Sequence, residues 1–389
     1  MNIRKAILAF SSFACANLLY GCFESNSPTA VPSSSSDLSE TGISSSSEVP
    51  QASSSSVVPV ELGVAPSISI LPWNGAQGAY SIIMDDYCFG TTKSLQWADS
   101  IAFARQMSIG FAVVASKCQV ADWAKATEMI LHGSEPVNHS SKHTCADPSR
   151  CNGATPWLAG STQLALEIDS STQTIETNTG FRPTLFGYPY DVATDETQAE
   201  LFALGYFATR SYTHRNHSYG GLNHAAYFDG FALDYDARAP LAQIANQSFG
   251  MDEFADSAVS TGTWALRETH GVADNSYGPW TQAEFIAHFD HLAALRDQGK
   301  LWVAAPSKVI RYINLSSQAT WNLVTAPDAF EIQWSTPVDT LARYGVPLRI
   351  QVTGAWKAFQ AGIDLGATAT ATGTLISVNP ALGTLRLVP

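Results

Sequence analysis

Charged side chains are scarce in this sequence. Asp, Glu, Lys and Arg make up 14% of the 389 residues, and 34 acidic side chains against 21 basic ones give a net charge of −13. So little positive charge argues against binding of nucleic acid or anionic lipid by electrostatic attraction. A neutral partner such as a polysaccharide remains compatible with this composition. The hydrophobic fraction of 45% is enough for a sizeable core.

Two motifs of other chemistries are also missing. The absence of Gly-x-Ser-x-Gly argues against a serine esterase, and the absence of Cys-x-x-Cys argues against a structural zinc site. Six cysteines are present, two of them in the N-terminal segment, and the others are Cys88, Cys118, Cys145 and Cys151. An even number in an exported protein suggests disulfides. Pairing of sequence neighbours, one of three connectivities, gives Cys88–Cys118. The same rule gives Cys145–Cys151.

Residues 1–22 indicate export rather than folded structure. Arg4 and Lys5 precede a short apolar run, and Leu19-Tyr20-Gly21-Cys22 matches the lipobox of bacterial lipoproteins. The run is too short to favour a transmembrane helix. We expect acylation of Cys22 and anchoring at the outer membrane or cell surface of a bacterium. The alternative is an ordinary secretory signal with a chance cysteine.

Composition divides the remaining chain into three segments. Residues 23–66 are rich in Ser and Pro and poor in apolar residues, which predicts a disordered linker. Residues 67–315 alternate between strand and helix patterns, which predicts an α/β fold with a parallel sheet or barrel. Residues 316–389 contain short alternating strands, which predicts a small C-terminal all-β appendage of β-sandwich type. We expect this appendage to support the barrel, and carbohydrate binding is the alternative.

An apolar run that ends in two carboxylates is the first candidate site. Ser81-Ile82-Ile83-Met84 has the character of a buried strand, and Asp85 and Asp86 follow it directly. In α/β folds the carboxyl ends of the strands carry the chemistry. Because side chains alternate along a strand, we expect the two carboxylates to lie in different environments. A cation beside one of them would separate their roles, whereas the alternative is an ordinary solvated turn.

The stretch Asn138-His139-Ser140-Ser141-Lys142-His143 supplies candidate metal ligands. His139 and His143 are four residues apart, and on a helical turn this spacing places both imidazoles on one face. One carboxylate of Asp85 or Asp86 would complete a set of two His and one carboxylate. That set, with an open position, is typical of hydrolytic zinc sites.

These stretches resemble the motifs of the NodB-type polysaccharide deacetylases, carbohydrate esterase family 4. Ile83-Met84-Asp85-Asp86 resembles the first motif, and Asn138–His143 resembles the second. Gly187-Tyr188-Pro189-Tyr190 resembles the third motif, and Thr269-His270-Gly271 resembles the last. The resemblance covers about residues 67–315 and implies a distorted (β/α) barrel of about seven or eight strands.

The resemblance also implies a role for each residue of the site. Asp86, His139 and His143 would hold a divalent metal ion, usually Zn²⁺. Asp85 would be the general base that deprotonates the attacking water, and His270 would be the general acid that protonates the leaving group. A metal next to Asp86 would leave Asp85 free to accept that proton.

On the substrate side, the resemblance points to the Pro189–Tyr190 turn. The backbone N–H of Tyr190, or of a neighbour in that turn, would help to bind the oxyanion. Among the aromatic residues, Trp280 is the first candidate to test for a ring that lines a sugar groove, although core packing is the favoured interpretation for any single one of them.

The sequence departs from the family pattern at Gly187. The third motif often begins with an Arg that pairs with the base Asp, and this sequence has Gly there. Arg182 and Arg210 are the two candidates to replace that charge, and spacing alone does not choose between them.

Together these features predict metal-dependent hydrolysis of acetyl groups from a polysaccharide, as O-acetyl esters or N-acetyl amides. Acetylated plant polysaccharide such as xylan is the favoured substrate. The alternative is a surface lipoprotein that binds carbohydrate through a catalytically impaired barrel of the same type.

Overall fold

Strands and helices alternate along most of the described chain. The computed structural model describes residues 62–149, 155–212, 217–218, 232–237 and 251–389. Its strands are β1 (Ile68–Ile70), β2 (Gly78–Tyr87), β3 (Gly110–Val113), β4 (Glu135–Asn138), β5 (Leu185–Gly187), β6 (Ala208–Tyr212), β7 (His217–Ser218), β8 (Ala232–Ala237), β9 (Thr263–Thr269), β10 (Leu301–Val303), β11 (Trp321–Ala326), β12 (Ala329–Trp334), β13 (Leu348–Val352), β14 (Lys357–Gln360), β15 (Ile363–Asp364), β16 (Thr368–Thr370), β17 (Gly373–Val378) and β18 (Leu385–Val388). Its helices are α1 (Thr92–Ala104), α2 (Val120–Leu131), α3 (Thr162–Ala165), α4 (Ser171–Thr179), α5 (Asp195–Ala203), α6 (Met251–Thr261), α7 (Gln282–Asp297), α8 (Pro306–Gln318) and α9 (Val338–Tyr344).

A ring of parallel strands forms the centre of the fold. In the nine-stranded sheet, β2 is followed by β3, β4, β5, β6, β8 and β9. The ring closes because β9 also pairs in parallel with β2, from Ala79 opposite Trp264 to Met84 opposite Thr269. β10 pairs in parallel with the start of β2, and β7 pairs antiparallel with β9. The predicted distorted (β/α) barrel is thereby confirmed.

Local sequence signals set several helix boundaries. The pattern Thr281-x-x-Glu284 predicts a capping box, and both of its hydrogen bonds are present at the start of α7. Helical spacing from Trp157 predicts a helix that starts there, but α3 starts at Thr162 because the Ser161 side chain accepts a hydrogen bond from the N–H of Leu164. A π-helical turn, Leu166–Ser170, joins α3 to α4. The sequence pattern also predicts a helix over residues 241–258, and α6 is observed from Met251 onward, while residues 241–250 lie outside the described residues.

The C-terminal strands form two antiparallel sheets, in the orders β1-β13-β17-β16 and β11-β12-β18-β14-β15. β1 precedes the barrel in sequence but pairs with β13 of the appendage. One hydrophobic cluster contains barrel residues such as Ile83, α8 residues such as Ile313 and appendage residues such as Ile350. Residues 58–389 accordingly form one compact unit. None of the helices described is long and apolar enough to cross a membrane.

One of the two disulfides expected between sequence neighbours is observed. Cys88 and Cys118 are bonded to each other. Cys145 is disulfide-bonded as well, and its expected partner Cys151 lies outside the described residues. The lipobox cysteine, Cys22, and the Ser-rich segment also lie outside them.

Candidate active site

The candidate residues converge at the carboxyl ends of the barrel strands. Asp85 and Asp86 are at the end of β2, His139 follows β4, and His270 follows β9. The donor atoms of Asp86, His139 and His143 all lie within 4.8 Å of one another. Parallel pairing places successive strand ends on one rim of the barrel, which is why residues so far apart in sequence meet there.

The two adjacent carboxylates both lie near His139, so they do not point to opposite sides of the strand, but their other partners differ: Arg210 for Asp85 and His143 for Asp86. His139 Nε2 lies 3.8 Å from Asp85 Oδ2 and 3.6 Å from Asp86 Oδ1. Strand alternation fails here because Asp86 has a left-handed backbone with φ of 70°, and the register of β2 against β3 shifts between Met84 and Tyr87. A bulge of this kind redirects a side chain at the end of a strand.

The His139–His143 segment is a loop rather than the helical turn that the spacing suggested. Ser140 and His143 both have positive φ, 69° and 60°. The side chain of Asn138 holds the loop by accepting a hydrogen bond from the Ser140 N–H and by donating to the Tyr206 hydroxyl. The two imidazole rings still meet, with centroids 4.9 Å apart. Left-handed residues that persist at a site indicate a conformation enforced by its surroundings.

Asp86, His139 and His143 fit a cation. His139 Nδ1 lies 2.7 Å from the carbonyl oxygen of Gly187, which only accepts hydrogen bonds, so Nδ1 carries the proton. Nε2 is then the nitrogen that faces the carboxylates. Burial lowers the pKa of His139, but their negative charge outweighs this effect and raises the pKa, so this position favours a positive charge, either a proton or a metal ion. Asp86 Oδ1 is buried and, among the described residues, accepts no hydrogen bond.

The spacing of the donor atoms also suits a metal ion. Asp86 Oδ1 lies 3.1 Å from His143 Nε2 and 3.6 Å from His139 Nε2. Donors bound to a tetrahedral zinc ion lie about 3.3 Å apart. Burial raises the pKa of Asp86, but the two imidazoles outweigh that effect and hold the pKa well below its ordinary value. The Asp86 carboxylate is therefore a charged ligand over the whole neutral range.

Arg210 supplies the positive charge that Gly187 lacks. Its Nη1 and Nη2 donate to Asp85 Oδ1 and Oδ2, both at 2.5 Å, and both side chains are buried. Burial raises the pKa of Asp85, but Arg210 and then His139 outweigh it and lower the pKa below its ordinary value. Arg182, the other candidate, pairs instead with Glu176 on the surface. The base candidate is thus oriented and kept charged by a bidentate ion pair.

Gly187 and Arg210 are also direct neighbours across the sheet, in register between β5 and β6. A Cβ atom on Gly187 would lie 3.3 Å from Arg210 Cζ and 3.3 Å from His139 Nδ1. The small residue therefore leaves the room that the guanidinium occupies. The positive charge is thus supplied from β6, at the position that pairs with Gly187 of β5.

Glu268 is a site residue that the sequence interpretation missed. Its Oε1 lies 3.0 Å from His270 Nδ1, and His270 Nε2 lies 3.8 Å from Asp86 Oδ2. Burial lowers the pKa of His270, but the Glu268 carboxylate outweighs this, and with Asp85 and Asp86 it raises the pKa to about 9. The spacing Glu-x-His at a strand end was the available signal, because residues two apart on a strand lie on the same face.

The Pro189–Tyr190 turn lies beside the metal candidates. Pro189 is buried, whereas the Tyr190 ring is 60% exposed and its centroid is 5.0 Å from that of His143. Tyr190 has a left-handed backbone with φ of 59°. Its role in binding an oxyanion stays a prediction.

Trp280 does not line an open groove, so that expectation is corrected. Its ring is 5% exposed, stacks on His288 and donates from Nε1 to Thr269 Oγ1. Other rings are exposed beside the site. Phe89, 44% exposed, stacks on His143 at 4.8 Å, and Tyr277, 61% exposed, lies 5.6 Å from the ring of His270. Burial of Trp280 follows from packing across elements, which sequence position does not reveal.

Comparison with known proteins finds distant likenesses among solved structures. No protein-family model matches the chain, and no curated protein matches it. The Xyl-CE4 domain of a multidomain xylanase from the hindgut metagenome of Trinervitermes trinervoides is 10% identical over 60% of this chain and 89% of that chain, with a TM-score of 0.35. Peptidoglycan deacetylase PdaC from Bacillus subtilis is 17% identical over 60% of this chain and 90% of that chain, with a TM-score of 0.35.

One of the similar structures is described as a pseudoenzyme. A family 4 pseudoenzyme from Bacillus anthracis is 11% identical over 61% of this chain and 66% of that chain, with a TM-score of 0.36. Likenesses this distant carry no argument about function, which has to come from the residues of the site. In its motifs and in the solved structures that it matches, the chain is similar to the NodB-type polysaccharide deacetylases of carbohydrate esterase family 4.

Proposed function

We propose that this protein is a metal-dependent deacetylase that hydrolyses acetyl groups from a polysaccharide. The observation that carries the proposal is the convergence of two adjacent carboxylates and three imidazoles at one rim of the barrel. Asp86, His139 and His143 would hold a divalent cation, most simply Zn²⁺. Such a cation lowers the pKa of water and polarises an acetyl carbonyl.

The protein's own groups divide the proton transfers. Asp85, charged and clamped by Arg210, accepts the proton from the attacking water. His270, protonated near neutral pH beside Glu268, donates a proton to the departing sugar oxygen or amine. Asp85 lies at the end of β2 and is held by Arg210, whereas His270 follows β9 and is held by Glu268. An acid and a base with opposite charge states at one pH are what acyl transfer requires.

Exposed rings around the site favour a carbohydrate substrate. Phe89 and Tyr190 flank His143, and Tyr277 flanks His270, all three with much of the ring open to solvent. Such rings offer apolar faces on which sugar rings pack. The net charge of −13 disfavours an anionic polymer, so we favour a neutral acetylated polysaccharide such as xylan.

The test is acetate release from acetylxylan, chitooligosaccharide and peptidoglycan, with and without a chelator, together with the zinc content of the protein. We expect release from at least one polymer, loss with chelator and recovery with Zn²⁺. Asp86→Asn should lose both zinc and activity. Asp290→Asn is the matched control, because Asp290 is an exposed carboxylate paired with Arg105 away from the site.

If zinc binds but no polymer releases acetate, the alternative is favoured: a carbohydrate-binding lipoprotein with an impaired barrel. If Asp86→Asn leaves zinc and activity unchanged, the metal assignment is wrong. For localisation we propose a lipid anchor at Cys22. Cys22→Ser should move the protein from the membrane fraction to the soluble fraction.

A further inference from the structure

One short turn contacts both segments that carry the candidate metal ligands. The turn Ala115–Lys117 follows β3 and ends at Cys118. On one side its Ala115 N–H donates to the carbonyl of Ser140 at 3.1 Å, and its Ser116 N–H donates to the carbonyl of Ser141 at 2.9 Å. These two carbonyls lie between His139 and His143, so the turn fixes the backbone that joins the two histidines.

On its other side the turn is bonded covalently to the chain that carries Asp86. Cys118 forms the disulfide with Cys88, two residues after Asp86. Asp86 and Cys88 both have left-handed backbones, with φ of 70° and 71°. Asp tolerates left-handed backbone, but it is unfavourable for Cys88, so contacts around Cys88 have to maintain it. The disulfide is such a contact, because it bonds the side chain of Cys88 to Cys118.

The histidine loop is also held from its opposite edge. Glu167, fully buried in the π-helical turn, accepts hydrogen bonds from the N–H groups of Ser141 at 3.0 Å and Lys142 at 2.9 Å. The loop is therefore fixed on both edges by hydrogen bonds. The segment after Asp86 is held within itself and to α1, since the Phe89 N–H donates to Asp86 O at 2.7 Å and the Cys88 N–H donates to Thr92 Oγ1 at 3.1 Å. The disulfide ties this segment to the 115–117 turn, and the ring of Phe89 stacks on His143.

We propose that the Cys88–Cys118 disulfide is a positioning device for the metal site. Through the 115–117 turn it fixes Asp86 relative to His139 and His143, so that the three donors are arranged before a cation arrives. Groups that orient metal ligands from outside typically change metal affinity by about 10- to 100-fold. The inference rests on the metal site proposed above. It adds a dependence of metal affinity on the oxidation state of this cysteine pair.

The experiment measures the zinc dissociation constant of the full chain by competition with a chromophoric chelator. It compares the wild type with the double variant Cys88→Ala/Cys118→Ala. Reduction of the wild type is not a substitute, because free thiolates bind zinc themselves. We expect binding by the double variant to be about 10- to 100-fold weaker. Ser116→Ala, which removes the hydroxyl that donates to Ser141 O at 2.6 Å, should give a smaller loss.

A purely structural disulfide would lower the melting temperature and leave the zinc affinity of the folded protein unchanged, and that result would overturn the inference. Phe103→Ala is the control for destabilisation. It removes a ring stacked on the imidazole of His132, as Phe89 is stacked on His143, and should leave zinc affinity at the wild-type value. If the wild type binds no zinc, the proposed function fails. If wild type and double variant bind zinc equally, only this inference fails.

Discussion

At the scale of single residues, the position of one positive charge is the main departure from the family pattern. The motif position that often carries Arg is Gly187, and the guanidinium comes from Arg210 on the neighbouring strand. Arg210 can take the place of an arginine at position 187 because the two positions are in register on neighbouring strands. Gly187 has no side chain, so it leaves room for the guanidinium of Arg210. The buried Asp85 carboxylate keeps a bidentate partner, although motif comparison alone would report it missing.

Arg210→Gln should destabilise the protein and impair catalysis. Removing one partner of a buried ion pair leaves the other uncompensated, which costs about 3–5 kcal/mol. We expect a lower melting temperature and a kcat/KM reduced by about 100-fold, since Asp85 loses its orientation. Arg210→Lys should recover only part of the activity, because a point charge does not replace the bidentate fork.

The double variant Gly187→Arg/Arg210→Gly tests whether the charge can return to the motif position. We expect higher kcat/KM than in Arg210→Gly alone. Wild-type activity in Arg210→Gln would contradict the role assigned to this residue.

A second prediction concerns the pH dependence of activity. Glu268 helps to raise the pKa of His270 to about 9, so the acid stays protonated through neutral pH. A bound cation opposes this increase, and the basic limb of the pH–kcat/KM profile should fall at or below pH 9. Glu268→Gln removes the negative charge, which lowers the pKa of His270 and moves that limb to lower pH. If the basic limb lies at the same pH in Glu268→Gln as in the wild type, a group other than His270 is responsible for it.

At the scale of structural elements, loops with left-handed residues aim the side chains and the strands supply the rigid base. The β9–α7 loop is an example. Asp274 accepts hydrogen bonds from Ser94 at 2.5 Å and from the N–H of Ser276 at 3.0 Å, and a Cβ atom on Gly271 would collide with its carboxylate. Gly271 is therefore needed for this loop, which presents the exposed ring of Tyr277 next to His270.

Tyr277→Ala tests whether this loop contacts sugar. Loss of one ring contact worth about 0.5–1.5 kcal/mol should reduce kcat/KM on acetylated oligosaccharides by up to about 10-fold. The loss on 4-nitrophenyl acetate, which is too small to span the rim, should be smaller. Phe103→Ala is the matched control, because its ring lies on α1 against His132. Equal losses on both substrates would indicate a general disturbance of the site.

At the scale of the whole molecule, the C-terminal sheets belong to the same folded unit as the barrel. The Tyr312 hydroxyl of α8 donates to Leu71 O at 2.6 Å and accepts from the N–H of Arg349 at 3.2 Å, and β1 pairs with β13. Residues of the barrel, α8 and the two sheets share one hydrophobic cluster. Support of the barrel is therefore a sufficient reason for the appendage.

Deletion of residues 319–389 should leave a protein that is insoluble or has a much lower melting temperature. Removing the sheets exposes apolar side chains of α8, such as Ile313 and Ile310, to water. Each Å² of apolar surface exposed in this way lowers the stability by about 25 cal/mol. Solubility, melting temperature and near-UV circular dichroism measure the effect. Deletion of residues 1–57, the signal and most of the Ser-rich segment, is the control and should leave the melting temperature unchanged. A stable, zinc-binding chain that ends at residue 318 would contradict the supporting role.

The sequence by itself determined the fold class and most of the candidate site. Strand ends rich in carboxylate and imidazole are local signals, and so are capping boxes, which is why β2 and the start of α7 agree with expectation. The tertiary structure decided which groups face one another. Closure and register of the ring chose Arg210 as the partner of Asp85, and a bulge brought Asp85 and Asp86 to one side. These choices depend on contacts between residues distant in sequence, which a local pattern does not encode.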